Sequence, residues 1–244
     1  MNSLGFIRLQ IQQIHRGGFS VVLKKLFRVV WYSPRIPLYV LAFPVVLLIR
    51  LLRPFVTIRL GYLHSSRIGH FAANTEQYLC ELDAGINHPS GRFLDFFYFG
   101  ETVCNKQLSK MWGRLLSIWP AWLLAPIDHI NQLFGGWQLH VAGVNAQHDR
   151  DVHNLLDRIP PHLEFTEGEL KFGEDCLLSM GIPPDSPYVC LIVRDSAYLE
   201  SQQTGDWSYH NYRDCNVQNF ALAAQALAER GIYVIRMGSK VRQP

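Results

Sequence analysis

From residue 55 onward, short apolar runs alternate with longer amphipathic stretches. FVTIRLGYL (55–63) is rich in β-branched and aromatic residues and predicts a strand. HSSRIGH (64–70) has the polar and glycine content of a turn. In FAANTEQYLCEL (71–82), Phe71, Tyr78, Leu79 and Leu82 recur at helical spacing. FLDFFYF (93–99) is a second buried strand. CNKQLSKMWGRLLSIW (104–119) puts Leu108, Met111, Trp112, Leu115 and Trp119 on one helical stripe. Strand, turn, helix, strand, helix is the order of an open parallel α/β sheet.

The same order returns near the end. YVCLIV (188–193) is an apolar run suited to burial on both faces. Asn216 is placed to cap a helix whose Val217, Phe220, Ala221, Ala224, Leu227 and Ala228 share one face, and Gly231 stands where a helix stops. IYVIRMG (232–238) is the next strand, completing a βαβ unit. The fold class expected is therefore α/β. Residues 54–159 form a first Rossmann-like domain, 160–187 a connector, and 188–244 the start of a second, incomplete domain.

The N-terminal pattern is different. Residues 20–53 read SVVLKKLFRVVWYSPRIPLYVLAFPVVLLIRLLR, with 14 uninterrupted apolar residues over 36–49. A helical span of a bilayer needs about 20. Extending the run backward places Arg35 in hydrocarbon, and Pro37 and Pro44 would bend the helix. Lys24, Lys25, Arg28, Arg50 and Arg53, with Trp31 and Tyr32, suit an interfacial anchor on an anionic membrane surface. Residues 1–53 are accordingly read as a basic, apolar, membrane-associated segment. A buried core helix and a single span are the alternatives.

Charge sharpens this reading. The formal net charge of +3 conceals an asymmetry, because no acidic residue precedes Glu76 while ten Lys or Arg do. After that point 13 basic residues face 20 acidic ones. The basic positions are interleaved with aliphatic runs, which fits a membrane surface and not a nucleic-acid partner. Five scattered cysteines without a CxxC pair argue for a reducing compartment.

Candidate chemistry follows from the sheet rule that ligands sit beyond the carboxyl ends of parallel strands. After the first strand, Arg67, Gly69 and His70 could face a phosphate or carboxylate at a helix N-terminus. After the strand at 188–193 comes RDSAYLESQQTGDWSYHNYRD, longer than a connector requires. Its Arg194 and Arg213 could offset anionic charge, with Asp195, Asp206, Tyr209 and His210 beside them. Arg236 and Gly238 end the last strand. Asp149, Arg150 and Asp151 form a DxD triplet, common by chance, and His140, His148 and His153 have no zinc spacing.

SSRIGHFAANTEQYLCELDAG, CNKQLSKMW, VRDSAYL, DWSYHNYRD and YVIRMG, in this order over residues 51–238, resemble a family of bacterial glycosyltransferases associated with surface-carbohydrate biosynthesis. The resemblance implies a GT-B-like arrangement of two Rossmann-like domains. The first is then the acceptor side, with Arg67, Gly69 and His70. The second is the donor side, with Arg194, Asp195, Tyr209, His210, Arg213, Arg236 and Gly238 binding a nucleotide-sugar. His70 and Asp206 are the candidate bases, and no metal and no cofactor are expected. The acceptor would be a glycan or a lipid-linked saccharide, at the cytoplasmic face of the bacterial inner membrane. A complete donor domain needs further βα units, so this chain is expected to be inactive by itself. The alternative is a non-catalytic, membrane-anchored partner in a polysaccharide assembly complex.

Overall fold

The structure is a computed structural model that describes residues 36–86, 88–100, 102–143, 150–202, 208–238 and 241. The chain divides into two units, residues 1–164 and 165–244.

The first unit opens with helix α1 (Ile36–Leu52), continuous through Pro44. Pro37 falls in its first turn, where an amide proton has no intrahelical partner to lose. Strands β1 (Thr57–Leu63) and β2 (Phe93–Phe99) pair in parallel, Leu60 opposite Phe96 and Tyr62 opposite Tyr98. Between them lie a π-turn (His70–Asn74) and helix α2 (Thr75–Asp83). Helices α3 (Lys106–Leu115) and α4 (Ala121–Asn131) follow.

Alternation along the strands builds three layers. Leu60 and Tyr98, with Ile58 and Phe96, meet Ala42, Val46 and Ile49 of α1 and Leu124 and Ile127 of α4. The intervening residues Leu63 and Phe97 point the other way, into Phe71, Tyr78, Trp112 and Leu116. Gly61 belongs to this second face because the Phe97 ring lies across it. A Cβ there would stand 2.3 Å from Phe97 Cε1 and 2.9 Å from the Ala142 carbonyl.

The sheet is wider than its two named strands. Val141 bridges Leu60 beside β1, and Ile118 bridges Phe97 beside β2, both in parallel. The helical stripe read over 104–119 therefore stops at Leu115. Leu116 turns to φ −113, ψ 145, and the following residues become an edge, with Phe97 N–H donating to the Ser117 carbonyl at 2.8 Å. The resulting order is Val141, β1, β2, Ile118. The chain moves one way across the sheet and then returns to the far side of β1, which is a topological switch point.

Beside β1, an imidazole takes the place of a main-chain rung. His140 is buried, and its Nδ1 donates to the Ile58 carbonyl at 2.7 Å. Burial pushes this imidazole below its ordinary range, and Arg50 and Arg53 add to the effect. The unfolded chain therefore takes up a proton here before the folded one does, and stability falls as pH drops through about 6.5. His140→Gln should flatten the loss of stability between pH 7.5 and pH 5 relative to wild type, in urea titrations at each pH. An unchanged slope would show that His140 does not contribute.

One face of α1 belongs to this unit's core. Ala42, Val46 and Ile49 are buried, Tyr39 Oη lies 2.8 Å from His129 Nδ1, and Arg50 Nη1 donates to Asn131 Oδ1 at 2.8 Å. Arg50 also reaches the Gly135 carbonyl and lies over the Phe134 ring. These contacts tie α1 to the end of α4 and the residues just after it. The rest of the helix surface is apolar and exposed, including Val40, Leu41, Phe43, Leu47, Leu48 and Leu51. No helix among the described residues is long and apolar enough to cross a membrane.

The second unit begins with helix α5 (Glu167–Ser179), whose Thr166 and Glu169 form a reciprocal capping box. Strand β3 (Tyr188–Ile192) pairs in parallel with β4 (Tyr233–Met237), Leu191 opposite Arg236. The long polar stretch after β3 contains helix α6 (Ala197–Gln202) and a 3-10 turn (Ser208–Arg213), so much of it is built structure. A second 3-10 turn (Val217–Phe220), capped by Asn216 Oδ1 on the Gln218 amide, leads into helix α7 (Ala221–Ala228). The apolar run of β3 predicts burial on both faces, and the structure differs: Tyr188, Val189 and Ile192 are exposed. Two strands and one crossover supply too little surface to cover it.

Candidate functional site

Each parallel pair carries charged and polar residues beyond its carboxyl end, and the second gathers more of them around a cavity. Arg194 leaves β3 and turns back on its own loop. Its Nη1 donates to the His210 carbonyl at 3.0 Å and lies 3.6 Å from Asp214 Oδ1, while its carbonyl accepts the Cys215 amide at 2.9 Å. Arg194 thus positions the loop. Asp195 Oδ1 accepts the Ala197 amide at 3.0 Å, which caps the first turn of α6.

A cavity of about 300 Å³ opens where these pieces meet the end of β4, lined by Asp195, Ser196, Asp214, Cys215, Asn216, Val217 and Arg236. Of the residues singled out from sequence, Asp195 and Arg236 line it. His210 stands behind it through its bond to Arg194. Tyr209 is exposed with its ring 4.0 Å from that of His210, and Arg213 is exposed on the same turn. Gly238 follows β4 at φ +151, a conformation that a side chain rarely adopts, and a Cβ would meet Val241 Cγ1 at 2.8 Å. Asp206 lies outside the described residues. Ser196, Asp214 and Cys215 were missed. Nothing in their spacing marks them, and only the fold of the loop brings them to the strand ends.

At the carboxyl end of β1, the helix starts at Ile68 and passes into the π-turn. The turn leaves the Phe71 carbonyl to two side-chain donors, Thr75 Oγ1 at 2.8 Å and Trp112 Nε1 at 3.0 Å. His70 Nδ1 lies 3.4 Å from Asn74 Nδ2, and its ring centre is 6.0 Å from that of His64. Burial, with His70 and Arg67 nearby, holds the His64 imidazole below its ordinary range. Arg67 and His70 are half-buried here. Gly69 is exposed at φ −62, and a Cβ added to it would meet nothing within 4 Å, so neither conformation nor crowding requires glycine there. The gap lined by His64, Asn74, Tyr78 and Gly143 holds only about 10 Å³, enough for a single water.

A larger cavity of about 650 Å³ lies toward the amino end of β1, lined by Thr57, Arg59, Tyr78, Glu81, His88 and Trp137 among others. Beneath it Arg59 is buried against Asp95, Nε to Oδ1 at 2.6 Å and Nη2 to Oδ2 at 2.5 Å. Tyr78 Oη donates to the same carboxylate, and burial with that bond pushes its phenol far up. Sequence reasoning gave no sign of this cavity, since its residues come from five separate segments.

Of the DxD triplet, Asp149 lies outside the described residues. Asp151 accepts the Leu155 and Leu156 amides at 2.8 Å each, one on each oxygen, and these bonds pull its carboxyl below the usual range. Its carboxylate caps a turn. Comparison with protein-family models, with curated proteins and with solved structures finds no match for the chain.

Proposed function

We propose that the protein is a glycosyltransferase working at a membrane surface, taking a nucleotide-sugar donor and a glycan or lipid-linked acceptor. The observation that carries the reading is the cavity beyond β3 and β4, where Arg236 and Asn216 stand at the carboxyl ends of a parallel pair. Open α/β sheets hold phosphorylated ligands at that edge. In this role Arg236 offsets diphosphate charge on the donor, and Asp195 and Asn216 supply polar contacts to ribose or sugar hydroxyls. An acceptor hydroxyl loses its proton to a base from the chain, for which His70 and Asp206 are the candidates. The exposed apolar surface of α1 supports placement at a lipid surface.

Titration calorimetry with uridine and guanosine diphosphates tests the donor site. Arg236→Ala should weaken binding about tenfold to a hundredfold, the worth of about 1.5–3 kcal/mol for a charged hydrogen bond. Binding that is absent at millimolar ligand, or indifferent to the substitution, would remove the reading. That outcome favours the second reading, a non-catalytic membrane-anchored partner in polysaccharide assembly. The exposed apolar residues Tyr188, Ile192, Tyr233 and Met237 on β3 and β4 support it, as a surface for another subunit.

A further inference from the structure

On the face of α2 away from the candidate cavities, Glu76, Cys80 and Asp83 stand at i, i+4 and i+7, so their side chains share one side of the helix. The residue that meets them is His162, 86 positions beyond Glu76, which follows Pro160 and Pro161. Its Nδ1 lies 2.8 Å from Glu76 Oε1, its Nε2 lies 3.1 Å from Asp83 Oδ2, and its backbone amide donates to Glu76 Oε1 at 2.9 Å. Cys80 Sγ joins this group: one ligand atom each from Glu76, Cys80 and His162 lies within 4.8 Å of the others.

We infer that Glu76, Cys80 and His162 form a structural site for a zinc-class divalent cation that clips the 160–164 segment to α2. The donor set is one thiolate, one imidazole and one carboxylate, a mixture that suits Zn²⁺ and its spectroscopic substitute Co²⁺. In a tetrahedral site with bonds of about 2.0–2.3 Å, ligand atoms stand about 3.3–3.8 Å apart. The Glu76 and His162 ligand atoms, 2.8 Å apart, open slightly to reach that spacing, Cys80 Sγ lies within 4.8 Å of both, and water completes the fourth position.

One further feature fits a metal. With the cation on Nδ1, the other ring nitrogen still donates to Asp83. That is the carboxylate–histidine–metal relay that orients metal-bound imidazoles. On binding, the cation displaces one proton from the Cys80 thiol, and a second from His162 when the imidazole is charged; both go to solvent, and no redox change occurs.

The test is Co²⁺ titration of the full chain after chelator treatment. One equivalent should bind with a near-ultraviolet thiolate-to-cobalt charge-transfer band and the visible bands of a tetrahedral ion, both bleached by Zn²⁺. Cys80→Ser should remove the charge-transfer band. Since Cys80 is fully buried and its substitution can disturb the fold, His162→Gln is the companion variant, its side chain being only 20% exposed but on a loop. It should keep the far-ultraviolet circular dichroism of wild type and bind at least about tenfold more weakly. Failure of wild type to bind Co²⁺ with a thiolate band overturns the site. So does wild-type affinity in His162→Gln, or an unchanged band in folded Cys80→Ser, which would assign the metal to the exposed Cys190 or Cys215.

Discussion

Replacing Leu41, Leu48 and Leu51 together by glutamine should lower partition onto phosphatidylglycerol vesicles by about two to three orders of magnitude. All three are exposed, at 64%, 53% and 73%. Burying a leucine side chain in an apolar phase is worth about 1.5–3 kcal/mol, and interfacial burial is partial, so three of them contribute about 3–4 kcal/mol. The same substitutions should leave the urea midpoint almost unmoved, because exposed positions away from the core cost within about 0.5 kcal/mol each. That separation is what makes the experiment informative. The inward residues Ala42, Val46 and Ile49 hold the fold, and the outward leucines would hold the membrane. Cosedimentation with vesicles measures the first quantity and denaturant unfolding the second. Equal partition of variant and wild type would mean that the apolar surface of α1 faces something other than lipid.

Arg59→Met should destabilise the first unit by about 3–5 kcal/mol, the largest effect expected of any single substitution here. The side chains of Arg59 and Asp95 are only 7% and 8% exposed, directly opposite one another on β1 and β2. Removing the guanidinium leaves a buried carboxylate with the Tyr78 hydroxyl as its remaining donor. Asp95→Leu should cost a similar amount for the converse reason, an uncompensated buried cation. The double substitution should recover most of the loss, since an apolar pair of matching volume avoids the desolvation of both charges. Urea unfolding of the two singles and the double closes the cycle. Additive losses in the double would show that the pair is not coupled and that the cost lies in packing.

Much of the first unit was legible because its apolar runs have clear edges. β2 runs over 93–99 as read, an apolar and aromatic segment interrupted only by Asp95, with glycines at 91 and 100. The helix read over 104–119 ended four residues early for a tertiary reason. Ser117 and Trp119 exchange main-chain bonds with Phe97, and a partner across a sheet leaves no local signature. The edge at Val141 is a single rung and had no pattern to find. Residues 1–53 were set apart because the apolar run of α1 is uninterrupted. Periodicity cannot tell a helix with one face in a core from one with none, when both faces are equally apolar.

The candidate site divides the same way. The carboxyl-end rule pointed to Asp195 and Arg236 because it needs only strand order, and both line the cavity there. The same rule makes Arg194 a ligand-facing cation, but its side chain folds back on the His210 carbonyl, a contact that sequence spacing does not encode. Arg59 with Asp95, and Glu76 with His162, are joined across 36 and 86 positions. Each residue taken singly looks like an ordinary charged position.

The π-turn at His70–Asn74 sets the phase of everything after it. A helix that started at Ile68 and ran regularly would present α2 rotated by about 100° at equal length, one residue's worth of turn. The extra residue is what aims Tyr78 at Asp95 and leaves Glu76 and Cys80 on the side where His162 arrives. Any chain that shares this fold with a regular helix should therefore align to it with a one-residue gap near Ala72 and Ala73. An alignment forced through without that gap would match core positions to surface ones for the whole of α2.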